Sequence, residues 1–270
     1  MNHTTPLVFI TGGSSGIGQA LAQHYLDAGW RVALVARREH EMAAWAKPFN
    51  QDALCVGVYG ADVSIAQQAR SAAQACITQQ GLPNVVVANA GISVGVDTAE
   101  FDDLDVLQRT LMLNIAGIAN TFHPFIAPMR ARGTGSLVGL ASVAGIRGLP
   151  GHGGYCASKA GAIAYLESLR GELRGSGLHV VTLVPGYVAT PLTAKNTYSM
   201  PFLMPAADFA MAAAQAIAKH KSYVVIPWPM GLVAALLRIL PNALFDRLLS
   251  GRARKPRQVK TPINARFAYG

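Results

Sequence analysis

The sequence predicts an α/β protein, a doubly wound parallel sheet of the Rossmann kind in one domain, with a short apolar helical extension near its C-terminal end. Three observations predict it. Short apolar runs recur along the chain without alternating with polar residues, the pattern of strands buried on both faces. Stretches with apolar residues at helical spacing separate them, so the strands should be parallel and joined by right-handed crossovers. The distinctive residues follow strands, where ligands sit in such folds.

The elements are expected in this order. Leu7–Thr11 is a strand, and Gly16–Ala28 a helix with apolar residues at helical spacing. Arg31–Ala36 is the second strand, followed by a helix near Glu39–Phe49. Ala53–Tyr59 is the third strand and Ile65–Gln80 a helix. Asn84–Ala88 is the fourth strand. Asp103–Arg132 reads as one long helix despite Pro124 and Pro128. Gly135–Ala141 is the fifth strand, Gly154–Gly175 a helix and His179–Val184 the sixth strand. Ala206–Lys219 is helical and Tyr223–Ile226 a last short strand. No internal repeat or linker divides residues 1–250, and only the basic tail 251–270 looks separable.

Composition narrows the class. The chain has 270 residues, 51% of them hydrophobic and 14% charged, which excludes disorder. Three cysteines without a close pair exclude a disulfide framework and a thiolate zinc site. No apolar run is long enough for a spanning helix, and the first residues lack the pattern of a signal peptide. A cytoplasmic protein is expected, with peripheral membrane association as an open addition. The net charge of +9 raises the question of nucleic acid. The excess sits mostly in Arg252, Arg254, Lys255, Arg257, Lys260 and Arg266, with no stacking motif beside them, so no nucleic acid is expected. That leaves a solvated tail, or one touching an anionic membrane surface or a partner subunit.

The chemistry begins at the first turn. Gly12, Ser14, Ser15, Gly16, Ile17 and Gly18 join a strand to a helix. Glycine allows backbone to approach a ligand, and a helix N-terminus offers N–H groups to a pyrophosphate. An NAD site would carry an acid at the end of the second strand, roughly twenty residues on. Here Arg37 and Arg38 stand there, and guanidinium groups suit a 2′-phosphate. NADP(H) is therefore the expected cofactor, with Arg37 the stronger candidate. Arg38 alone could equally be a solvated charge, and a shifted loop could bring Glu39 to the ribose. Asp62 and Val63 follow the third strand, where Asp62 either accepts from an adenine amine or caps a helix. Asn89, Ala90 and Gly91 follow the fourth and permit close approach of a flat ring.

The strongest constellation comes later. Ser142 follows the fifth strand, and Tyr155 and Lys159 stand thirteen and seventeen residues further on. Tyrosine and lysine at i, i+4 share a helix face. An ordinary phenol, with pKa near 10, is a poor base at neutral pH, and a nearby ammonium should lower it. Tyr155 is thus expected to move a proton, tuned by Lys159, while Ser142 holds the same substrate oxygen.

Together these motifs resemble the short-chain dehydrogenase/reductase family over about residues 5–228. The matching text is the Thr11–Gly18 turn, Asn89-Ala90-Gly91, Asn114 in Leu113–Gly117, Ser142, Tyr155 with Lys159, and Pro185-Gly186 with Thr190. The resemblance implies that Tyr155 donates or accepts the proton, that Lys159 also binds the nicotinamide ribose, and that Asn114 secures a water. It implies that backbone at Gly186–Val188 meets the nicotinamide amide and that Thr190 sits by the phosphates. It further implies no metal and a homodimer or homotetramer.

The substrate side is read from composition. Residues 192–205 form a candidate lid, apolar through Met200, Phe202, Leu203 and Met204, which points to an apolar carbonyl substrate unless the lid packs on itself. His152 and Tyr187 either line the pocket or are structural. Residues 228–250 form two apolar helices that cover the site, pack between subunits or dip into a membrane surface. The expected function is an NADP(H)-dependent ketone reductase. A non-catalytic NADP(H) sensor and a ketosphinganine-like reductase at a membrane surface are the alternatives.

Overall fold

A computed structural model describes residues 5–50, 54–251 and 253–258. β1 (Leu7–Thr11) leads into α1 (Gly16–Asp27), then β2 (Arg31–Ala36) and α2 (Glu39–Ala46). β3 (Val56–Gly60), α3 (Ala66–Gln80) and β4 (Val85–Ala88) complete the first half. α4 (Asp103–Leu111), α5 (Gly117–Arg132), β5 (Gly135–Leu140), α6 (Gly153–Glu172) and β6 (Leu178–Pro185) follow. A two-residue pair, β7 (Val188–Ala189) and β8 (Met204–Pro205), closes the loop between β6 and α7 (Ala206–Ala218). β9 (Tyr223–Ile226), α8 (Trp228–Ile239) and α9 (Asn242–Leu249) end the described elements.

The main sheet is parallel, in the order β3-β2-β1-β4-β5-β6-β9. Alternate side chains of each strand feed two cores. Leu7 and Phe9 of β1 pack on one face with Phe122, Phe125 and Leu166 from α5 and α6. Val8 and Ile10 pack on the other with Leu21 of α1 and Phe209 of α7. Burial on both faces is why these strands read as continuous apolar runs. Strand order reverses between β1 and β4, and a crevice opens there beyond the strands' carboxyl ends.

Two expectations about the elements change. The helix expected over Asp103–Arg132 is interrupted by a π turn at Met112–Ala116. The α-helix resumes through Pro124 and Pro128, whose missing N–H groups are tolerated because Phe122, Phe125 and Met129 anchor it in the core. The third strand begins at Val56; Ala53 lies outside the described residues.

The tail is not a separable solvated segment over residues 253–258. Its backbone pairs with Gly95, whose amide donates to the Pro256 carbonyl at 3.1 Å. A methyl group on Gly95 would lie 2.1 Å from the Lys255 oxygen, so only glycine admits this approach. Arg257 donates to Asp103 at 2.6 Å and pairs with Glu100. That bond holds the Asp103 carboxyl below its ordinary pKa. Arg252, Lys260 and Arg266 lie outside the described residues.

In α8, Met230 and Ala234 face a cavity over the sheet, the first of the placements open to residues 228–250. Its outer face, Trp228, Leu232, Leu236 and Ile239, is exposed. Among the described residues no helix is long and apolar enough to cross a membrane.

Candidate active site

The crevice holds two adjoining cavities. The larger, about 360 Å³, runs from the β1–α1 turn to Tyr155 and Lys159. At its head Gly12 and Gly16 have positive φ, +69° and +60°. Gly18 is needed for a different reason: a methyl group there would lie 2.3 Å from the Gly12 carbonyl oxygen. Gly18 therefore lets α1 close onto the turn that precedes it. No side chain caps α1 at Ser15, and its first turn carries no acid, so its leading N–H groups face the cavity without a protein acceptor. These groups, with the dipole behind them, fit a pyrophosphate.

The turn is pinned from β4. Asn89 Nδ2 donates to the carbonyls of Thr11 at 2.9 Å and Gly12 at 3.2 Å, and the amides of Asn89 and Ala90 donate to Thr11 Oγ1. Asn89 thus shapes the turn as well as the floor, a long-range role that its neighbours in the chain do not reveal.

Arg37 and Arg38 both line the cavity's outer end. Arg38 donates to Ser14 Oγ at 3.0 Å and Ser15 Oγ at 3.3 Å, and pairs with Glu41. Arg37 is largely exposed, 3.9 Å from Asp62. Glu39 does not line the cavity; its carboxylate lies against Gly60. Asp62 accepts from the amide and hydroxyl of Ser64 ahead of α3 and also lines the cavity with Val63, so its two expected roles coexist. Two guanidinium groups at this end, with Asp62 beside Arg37 and Glu41 beside Arg38, can still meet the charge of a 2′-phosphate.

At the inner end Ser142 follows β5, and Tyr155 and Lys159 share one turn of α6. Lys159 is buried and donates to the Leu140 carbonyl at 2.7 Å. Its nitrogen lies 5.9 Å from the centre of the Tyr155 ring. Burial lowers the Lys159 pKa to about 8. Burial also raises the Tyr155 pKa, against the opposing hydrogen bond from Ser142. Burial is the largest influence on this phenol, and the lowering expected from the Lys159 amine is not among the others.

Asn114 sits on the π turn, fully buried. It accepts from the Ile92 amide and donates to the Ile92 carbonyl and to Ser158 Oγ, each at 2.9 Å. Ser158 donates in turn to the Tyr155 carbonyl at 2.7 Å. Asn114 thus ties the π turn and the segment after Gly91 to the catalytic-candidate turn of α6. Ser158 is a member of this chain that sequence reading did not single out; its place one residue before Lys159 was the available signal.

The second cavity, about 240 Å³, shares Tyr155 with the first and also contains Ser142. Pro185 and Thr190 border both cavities, while Gly186, Tyr187 and Val188 line the second. A methyl group on Gly186 would meet Met230 at 2.8 Å, so α8 packs directly on this loop. The apolar walls are Met230, Val233, Leu237 and Leu248 of α8 and α9. The lid differs from its sequence reading. Leu192, Asn196, Tyr198 and Pro201 face the cavity, whereas Phe202 and Leu203 are exposed. His152 lines the cavity, with Nε2 3.3 Å from the Tyr198 hydroxyl. Arg147, also unforeseen, fastens α8 and α9: it donates to the Leu237 and Leu240 carbonyls and to Asn242, and lies over the Phe245 ring at 3.8 Å.

Comparison with known proteins agrees with this geometry. A family model described as short chain dehydrogenase matches residues 6–200. An uncharacterized oxidoreductase from Myxococcus xanthus is 35% identical over 246 residues, covering 91% of this chain and 96% of its own. Sulfoacetaldehyde reductase 2 from Chromohalobacter salexigens is 33% identical over 198 residues, covering 71% and 76%. The fold is shared with a short-chain dehydrogenase from Sphingobium yanoikuyae in complex with NADPH, at TM-score 0.73 and 23% identity over 88% of this chain and 97% of that one.

Proposed function

The chain belongs to the short-chain dehydrogenase family and is an oxidoreductase; from that premise we propose that it is an NADP(H)-dependent reductase of small carbonyl compounds. The observation that carries the reading is Tyr155, which borders both cavities and shares the second with Ser142. The larger cavity would hold NADPH, which would supply the hydride. The α1 N-terminus would receive its pyrophosphate, Arg37 and Arg38 its 2′-phosphate, Asp62 and Val63 the adenosine, and Asn89, Ala90 and Gly91 the inner ribose. Lys159 would hold the ribose near the nicotinamide, with Pro185, Gly186, Val188 and Thr190 along the amide and phosphates.

Ser142 and Tyr155 then hold the substrate oxygen from the second cavity. As the carbonyl carbon gains a hydride, its oxygen gains charge, and the Tyr155 hydroxyl delivers a proton to it. The 240 Å³ cavity lies below the usual range of about 300–1,000 Å³, which favours a small substrate over a long-chain keto-lipid. The enzyme acts as a homodimer or homotetramer at a cytoplasmic location under the same reading.

The test is NADPH oxidation across aliphatic, aromatic and steroid ketones and aldehydes. Consumption with none of them overturns the reductase and leaves the sensor. For the cofactor, NADPH should bind at least tenfold more tightly than NADH. The double variant Arg37→Ala/Arg38→Ala should remove that preference while changing NADH affinity less than threefold. Equal affinities in the unaltered protein overturn the choice of NADP(H).

A further inference from the structure

We propose that Lys255 forms an anion subsite in the substrate cavity, so that the preferred substrate is a small oxo acid: a carbonyl compound with an apolar body and a carboxylate. This rests on the reductase reading for the reaction, but the subsite stands on its own geometry.

Among the described residues no aspartate or glutamate lines the cavity. Three side chains able to carry positive charge line it: Arg147, His152 and Lys255. Arg147 is committed to the carbonyls at the end of α8 and to the Phe245 ring. His152 meets Tyr198. Lys255 is different. Its side chain comes in from the C-terminal strap and is only 6% exposed. It donates to the Leu192 carbonyl at 3.0 Å and to Asn196 Oδ1 at 2.5 Å, both neutral acceptors on the lid. Among the described residues no carboxylate pairs with it, and another cation, Lys195, acts on it.

An ammonium has three donors, and two are engaged. A buried cation without a counter-charge is costly, and the fold holds this one at a cavity wall. A ligand carboxylate supplies the missing charge and takes the third donor. The neighbouring walls suit the same ligand, since α8 and α9 receive the apolar body. Tyr155 borders the same cavity, so one molecule can present its carbonyl to Tyr155 and its carboxylate to Lys255. At about 30 Å³ per water-sized group the volume holds roughly eight such groups, the size of a six-carbon acid.

The experiment is calorimetric titration of the full-length protein, saturated with NADP⁺, with hexanoate and with hexanamide. Hexanoate should bind at least tenfold more tightly. Lys255→Met should erase the difference and Lys255→Arg should restore part of it. Because Lys255 also fastens the strap to the lid, Arg257→Gln loosens the other anchor of the strap and leaves the ammonium; it should keep the preference. Equal affinities in the unaltered protein, or a preference that survives Lys255→Met, overturn the subsite. Loss of the preference in both Lys255→Met and Arg257→Gln assigns the lysine to docking alone and overturns it too. A second arm separates the two readings, with 5-oxohexanoate and its amide as substrates for NADPH oxidation. Tight hexanoate binding without turnover of either compound, or of any carbonyl in the panel above, sinks the reductase and keeps the subsite. Turnover of both at equal kcat/KM sinks the subsite and keeps the reductase.

Discussion

Tyr155→Phe is expected to lower kcat for ketone reduction by at least a thousandfold, about 4 kcal/mol of transition-state stabilisation, with NADPH affinity changed less than threefold. The substitution removes one oxygen and keeps the ring that borders both cavities. Ser142 keeps its remaining bond, from the Ala144 amide, so the local backbone has no reason to move. What is lost is the proton. An alkoxide forming on the substrate needs a proton, and the phenol that borders both cavities is the group placed to deliver it. Single-turnover absorbance at 340 nm gives the chemical step, and NADPH fluorescence titration gives the binding. A variant that keeps a tenth or more of the activity removes Tyr155 from the mechanism. A variant that loses both activity and binding points to a positioning role.

Much of this site could be read from the chain because its parts obey local rules. The glycines of the β1–α1 turn, the arginines closing β2 and the Tyr155–Lys159 pair are each explained by neighbours a few residues away. The ends of β1, β2 and β9 fall where the apolar runs stop. Features that depend on distant contacts were opaque. The π turn under Asn114 is invisible to helical periodicity, since Leu113 and Ile115 look like any apolar pair on a helix. Its bonds to Ile92 and Ser158 explain why the extra residue is accommodated: the side chain supplies partners across the fold. The lid was misjudged because apolar content does not say which side chains face in; Tyr198 and Asn196 do, while Phe202 and Leu203 do not. Lys255 is one cation in a basic run, and only its burial against Leu192 and Asn196 sets it apart.

The same distinction between pairing and burial sets the expected behaviour of Lys159. Its pKa is lowered to about 8 by burial, from an ordinary value of 10.5. At pH 7 the amine is charged, and its ammonium can hold a ribose hydroxyl while it donates to Leu140. Raising the pH through 8 removes that charge, so kcat/KM for NADPH-dependent reduction should fall on the alkaline side with an apparent pKa near 8. Lys159→Met should lower kcat/KM by about a hundredfold or more at pH 7 and abolish this alkaline limb. An unaltered protein with constant kcat/KM to pH 10, or a Lys159→Met variant that retains the limb, assigns the ionisation elsewhere.

Stability should move the opposite way. Between pH 8 and the ordinary value near 10.5, the unfolded chain binds more protons at this residue than the folded one. Its contribution therefore makes stability rise with pH through that window, and below pH 8 the full penalty for charging a buried amine is present. Lys159→Met exchanges that amine for an apolar side chain of similar length, so the variant should melt at least about 2 °C higher at pH 7, the effect of roughly 1 kcal/mol in a chain of this size. A variant that is less active and more stable marks a residue retained for chemistry at the expense of the fold. One that is less active and less stable shows that the bond to the Leu140 carbonyl outweighs the desolvation, and that Lys159 is first a strut for the end of β5.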